Sequence, residues 1–139
     1  VNNFIHYVYR RRSLVPAADV ADLHTLIVLE EAQTLIERRV DARIDFYQEL
    51  LLRSRSLGIG YVLIAQDVSR IDPVVFAGCS NLFVFAQASA ADKELVKRLL
   101  DLSPRESALL SKLRVGECFA KFTGHPLWPY PLILKVGRP

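Results

Sequence analysis

Two spacings of apolar residues run along this chain, and the switches between them mark its elements. Phe4, Ile5, Val8 and Tyr9 recur at i, i+4 intervals, one face of a helix. Arg10, Arg11 and Arg12 finish it, which suits the negative end of a helix dipole. Val15–Ala18, with Pro16, breaks the pattern into a loop. Leu26–Leu29 is a short, wholly apolar run, the style of a strand buried on both faces of a parallel sheet. Leu26, Leu29, Ala32 and Leu35 also fit helical spacing, but the β-branched pair Ile27 and Val28 favours the strand. A helix is predicted after Glu31 to about Arg39. Another is predicted from Asp45 to Ser56, with Phe46, Leu50 and Arg53 on one stripe and Gly58 as its stop.

The period then returns to that of strands. Tyr61–Ala65 reads as a second buried strand and Asn81–Ala86 as a third, with a short helix start at Asp72-Pro73 between them. Asp92–Leu100 is amphipathic at helical spacing, and Ser103-Pro104-Arg105-Glu106 opens a further helix with Ser at N-cap and Pro at N1. Glu117–Phe122 and Leu132–Val136 are two late strands around a Pro-rich turn. Strands alternate with helices for most of the length, which predicts an α/β fold with a mainly parallel sheet flanked by helices.

Composition narrows this further. With 139 residues, 51% of them hydrophobic, the chain can build one domain with its own core. It has neither an apolar run long enough to cross a bilayer nor a signal-peptide pattern, so a cytoplasmic domain is expected. A net charge of +3 is too mild to establish a nucleic-acid partner. The arginine clusters, such as Arg38 and Arg39, fit ordinary solvated helix surface. Cys79 and Cys118 form no CxxC and read as buried, reduced thiols, while His6, His24 and His125 lack metal-ligand spacing. Methionine is missing even at position 1, which fits an internal or C-terminal piece of a longer chain, or a processed N-terminus.

Three features can carry chemistry. Glu30 and Glu31 stand at the carboxyl end of the Leu26–Leu29 strand, where open α/β sheets bind ligands. One such acid can hold Mg²⁺ through a water, and its neighbour can deprotonate the water that attacks a γ-phosphate. Acids in the first turn of a helix are equally explained by its dipole. Gln66, placed directly after the second strand, can sense a γ-phosphate or hold the attacking water, or be an ordinary strand-end residue. Arg53 and Arg55 precede Gly58-Ile-Gly60, and arginine is suited to reaching a phosphate across an interface. Late in a helix, the two also make a good C-terminal charge pattern.

Each signal is weak alone, but their order is not. An apolar strand with Glu30-Glu31-Ala32-Gln33, a helix, Arg55-x-x-Gly58-x-Gly60, and an apolar strand ending in Gln66 together resemble the HerA–FtsK superfamily of RecA-like ATPases. That superfamily includes the conjugation and type IV secretion ATPases. The resemblance continues through Ser69-Arg70-Ile71-Asp72-Pro73, Cys79-Ser80-Asn81, Asp92 and Leu113-Arg114-Val115-Gly116-Glu117, nearly the whole chain from Leu26 onward. It implies a partial RecA-like, P-loop NTPase fold, residues 23–139 running from the Walker B strand onward and residues 1–12 being the tail of a truncated helix. It places Glu30 on the Mg²⁺ side, Glu31 as catalytic base, Gln66 as sensor, and Arg55 as a residue acting on a neighbouring subunit's nucleotide. It further implies ATP and Mg²⁺ in the intact protein, self-association into a hexameric ring, DNA in the central channel, and nuclease or secretion-system partners. Residues 37–45, with Arg38, Arg39 and Arg43, are a candidate channel loop or equally a solvated linker.

One departure stands out. None of the five lysines follows a glycine, so the G-x-x-x-x-G-K-[ST] phosphate cradle is absent from this chain. Truncation is the expected reason, and the chain alone is expected to hydrolyse ATP negligibly. The alternative is a non-catalytic RecA-like assembly module, against which the paired acids count. A simple DNA-binding domain fits poorly, since no helix-turn-helix or zinc-finger pattern accompanies the mild charge.

Overall fold

The computed structural model describes residues 2–14, 22–36, 51, 53–128 and 130–137. The predicted loop at Val15–Ala18, the stretch 37–45, and most of the predicted Asp45–Ser56 helix lie outside those residues. The chain is a mixed α/β fold that divides into two compact units. The first is residues 1–66 with 70–78, and the second is residues 67–69 with 79–139.

The first unit is built on a parallel pair, β1 (Thr25–Leu29) and β2 (Ile59–Leu63), in the register Thr25↔Ile59 to Leu29↔Leu63. Helix α1 (Asn2–Ser13) ends on the three predicted arginines. Ile5 is buried in the core, with Val8 and Tyr9 packed against it, while Phe4 turns to the surface. Arg12 reaches out of the helix, its Nε donating to the Leu57 carbonyl at 3.0 Å. Ile27 and Leu29 pack with Ile5, Ala32, Ile36, Ile59, Ile71 and Val75. The other face of β1 is open: Leu26 is 56% and Val28 55% exposed. The expected burial on both faces is therefore not met in this chain, because the core gathers on the Ile27 side alone.

Before β2, Leu51 and Arg53 are helical and Ser54–Leu57 tightens into a 3₁₀ turn. Gly58 ends it at φ 66°, as the sequence predicted; a Cβ there would come within 2.7 Å of the Asp22 carbonyl oxygen. The Gly58 carbonyl then accepts from the backbone N–H of His24 and Thr25, which seats the start of β2 beside β1. That pairing starts β2 two residues earlier than its apolar run suggested. A short helix α2 (Pro73–Ala77) follows, with Asp72 as N-cap accepting from the Val74 N–H at 2.9 Å.

The second unit is an antiparallel sheet of β3 (Asn81–Val84), β4 (Glu117–Phe122) and β5 (Leu132–Lys135), in the order β3-β4-β5. Sequence order alone did not reveal that β3 joins the late strands. Helix α3 (Ala90–Leu100) is N-capped by Ser89, and α4 (Pro104–Ser107) opens on a complete capping box between Ser103 and Glu106. Val96, Leu100, Leu102, Leu110 and Phe119 form this unit's own core, with Leu82, Val84 and Leu113 packed against it. Neither cysteine is in a disulfide; Cys118 is buried and Cys79 half-buried.

Candidate functional site

The carboxyl ends of β1 and β2 are tied together beyond their last paired residues. Ile64 N–H donates to the Leu29 carbonyl and Ala32 N–H to the Ile64 carbonyl, both at 2.9 Å. Between those bonds the chain turns sharply, and Glu31 takes left-handed backbone at φ 52°, ψ 41°. Such a conformation strains a residue with a full side chain, by roughly 1–2 kcal/mol. Thr34 steadies the turn, its N–H and hydroxyl donating to the Glu31 carbonyl at 2.9 and 2.8 Å. A 3₁₀ turn over Ala32–Thr34 follows, in place of the helix predicted to start there. Thr34 N–H and Leu35 N–H each close onto the carbonyl three residues back, Glu31 and Ala32 respectively, which makes the turn 3₁₀. The remainder of that predicted helix, from Glu37 to Arg39, lies outside the described residues.

The turn brings the Glu31 carboxylate between two amides. Gln66 Nε2 donates to one oxygen and Gln33 Nε2 to the other, each at 2.6 Å. These are short bonds from neutral donors to an acid, the kind that charge on the acceptor strengthens. Gln66 is exposed and follows β2, 35 residues along the chain from Glu31, whereas Gln33 is buried in the turn that Glu31 itself begins. Glu30 is exposed at the same end of β1. No group of three or more His, Cys, Asp or Glu side chains able to hold a metal occurs among the described residues.

Glu30, Glu31 and Gln66 are thus brought to one end of the parallel pair. Arg55 is not. It is exposed in the 3₁₀ turn that precedes β2, at the opposite end of the strands. Each strand is five residues long, so four residue steps, about 13 Å, separate the two ends. Gln33 was missed as a partner of Glu31. The available signal was a long polar side chain two residues after the acid, inside a run otherwise heading into the core.

The other segments in the ordered pattern are structural joints. Ser69 N–H donates to the buried Asp92 carboxylate at 2.8 Å. Gly116, at φ 83°, makes the turn into β4, where Arg114 N–H donates to Glu117 Oε2 at 2.9 Å. Ser80 accepts from Thr123 N–H at 2.7 Å where β3 meets β4.

No family model and no curated protein matches the sequence. Solved structures do match the fold. The DNA-packaging ATPase B204 of Sulfolobus turreted icosahedral virus is 17% identical over 81% of this chain and 52% of its own, with a TM-score of 0.65. The genome packaging NTPase B204 of Sulfolobus turreted icosahedral virus 2, in complex with AMPPCP, is 14% identical over 96% and 64%, with a TM-score of 0.70. VirB4 of Thermoanaerobacter pseudethanolicus is 21% identical over 99% of this chain and 36% of its own, again with a TM-score of 0.70. At these identities the likeness establishes the fold alone: the chain folds like part of a RecA-like domain. The chain spans 52% and 64% of the two B204 chains and 36% of VirB4.

Proposed function

We propose that this chain is the C-terminal part of the ATPase core of a HerA–FtsK-type motor, with Glu31 as its hydrolytic carboxylate. The observation that carries the reading is the Glu31 carboxylate, held between Gln33 and Gln66 at the carboxyl end of the parallel pair. Ligands of open α/β sheets bind at that end. The B204 proteins bind AMPPCP and ATP-γ-S, which supports nucleotide as the ligand class here.

In hydrolysis, Glu31 accepts a proton from a water whose oxygen bonds to the γ-phosphorus. The bond from that phosphorus to the β,γ-bridging oxygen breaks, and ADP leaves with the electron pair. Gln66, exposed and bound only through its tip, can exchange Glu31 for a phosphate oxygen and so report whether the γ-phosphate is present. Glu30 fits Mg²⁺, which takes one or two carboxylates and fills its remaining positions with water and phosphate oxygens. The ion would offset charge on the phosphates. Arg55, at the far end of the strands, is suited to a nucleotide on an adjacent subunit rather than to this one. The phosphate cradle has to come from outside this sequence, so the 139-residue chain alone turns over ATP negligibly. In the intact ring, with DNA in the channel, hydrolysis drives translocation or substrate transfer.

The test is steady-state, DNA-stimulated ATPase activity of the intact protein, wild type against Glu31→Gln. Loss of turnover with nucleotide binding retained is expected. Unchanged turnover in Glu31→Gln would remove Glu31 from catalysis, and no turnover in the wild type would move the assignment to a non-catalytic assembly module.

A further inference from the structure

We infer that Gln33 is a positioning residue for Glu31: its buried side-chain amide sets the orientation of the carboxylate and keeps it when Gln66 lets go. The inference rests on Glu31 being the hydrolytic carboxylate.

The two amides on Glu31 differ in kind. Gln66 is exposed, on a separate segment, and its bond can be lost without disturbing the backbone. Gln33 is only 4% exposed, and its backbone sits in the turn that Glu31 and Thr34 close. That turn is fixed further by Ile36 N–H donating to the Ala32 carbonyl at 3.0 Å, and Asp72 N–H donating to the Ile36 carbonyl at 3.3 Å. The Gln33 amide therefore reaches Glu31 Oε2 from a rigid base.

Its other end argues that this is more than packing. Gln33 Oε1 is buried and has no hydrogen-bond partner among the described residues. A buried carbonyl without a partner destabilises a fold, and an apolar side chain of the same length would avoid that cost. Among Ala32, Ile36 and the surrounding core, an apolar residue is what folding alone favours. What the amide supplies that an apolar side chain could not is the NH₂ group on Glu31. A carboxylate that turns freely presents its lone pairs to the attacking water in only a fraction of its orientations, and misplacement of about 1 Å can cost a hundredfold in rate.

The experiment compares Gln33→Met and Gln33→His with wild type and Glu31→Gln in the intact ATPase, reading kcat, KM for ATP and Tm. Methionine keeps the length and apolar packing but has no donor; the histidine ring supplies an N–H. For Gln33→Met we expect kcat to fall about 10- to 100-fold, with KM unchanged and Tm equal to or above wild type. Gln33→His is expected to recover part of the lost kcat. Wild-type kcat in Gln33→Met, beside an inactive Glu31→Gln, would overturn the positioning role while leaving Glu31 in place. A fall in Tm that accompanies the loss of kcat in Gln33→Met, with no recovery in a folded Gln33→His, would overturn it in favour of a structural role. An active Glu31→Gln would remove the reading beneath it.

Discussion

Glu31 in the first unit and Asp101 in the second both adopt left-handed backbone, at φ 52° and 59°, yet the two are held there by different things. Asp101 follows the last turn of α3. Its N–H donates to the Arg98 carbonyl and the Leu102 N–H to the Lys97 carbonyl, closing a Schellman motif with Leu102 buried in the core. Aspartate tolerates that conformation, and the element needs it in order to end. Glu31 ends no helix, and no backbone pair of the Schellman kind closes around it. What its turn achieves is to swing the carboxylate between Gln33 and Gln66. Across the units the contrast is narrower. Each has a capped helix, a core of its own and exposed apolar strand residues, but the buried side-chain polar atoms without a partner among the described residues, the Gln33 carbonyl oxygen included, are in the first unit. The backbone strain at Glu31 falls where the chemistry is proposed, as expected if the end of β1 serves reaction while the second core serves stability.

Substitutions can invert that division. The largest effect is expected from Glu31→Gln, which should reduce kcat by about 100-fold or more with little change in Tm; a large drop in Tm would mean that the carboxylate also holds the fold. Phe119→Ala should do the reverse. Phe119 is almost fully buried in the second core, so its loss costs about 3–5 kcal/mol in thermal or denaturant unfolding. The protein that remains folded should keep its kcat. Asp92→Ala comes next. It removes a buried carboxylate that accepts from Ser69 N–H, three residues beyond Gln66, and should cost about 1.5–3 kcal/mol. If it also changed kcat at temperatures where the protein stays folded, the division of roles between the two units would fail.

The smallest effect depends on pH. Hydrogen bonds from the Ser103 side chain and backbone hold the Glu106 carboxyl below its usual range. A group whose folded value is depressed contributes stability above its unfolded value and loses it as pH falls through the folded one. Glu106→Gln should therefore be slightly less stable than wild type at neutral pH. The difference should vanish in acid, below the carboxylate range, and unfolding midpoints measured at the two pH values check it.

Much of this was legible along the chain because it depends on near neighbours. The α1 stripe, the Gly58 stop, the Asp72 and Ser103 caps and both late strands follow from residues within a turn or two of one another. Such features are set by local sterics and hydrogen bonds, which sequence spacing records directly. The placing of Glu30, Glu31 and Gln66 after apolar strands was legible as well, through their order. The turn at Glu31 was not, because glutamate favours neither left-handed backbone nor a break in a helix pattern.

Sequence by itself determined the α/β alternation, the helix ends and the placing of Glu30, Glu31 and Gln66 after apolar strands. Only the tertiary structure decided that β3 pairs with the late strands, that Leu26 and Val28 face outward, that Arg55 lies at the far end from Glu31, and that Gln33 is the second amide on the carboxylate. The physical reason is common to all four. Pairing, facing and contact depend on which distant segments meet, and the free energy of those meetings comes from burial and hydrogen bonds that no local spacing encodes.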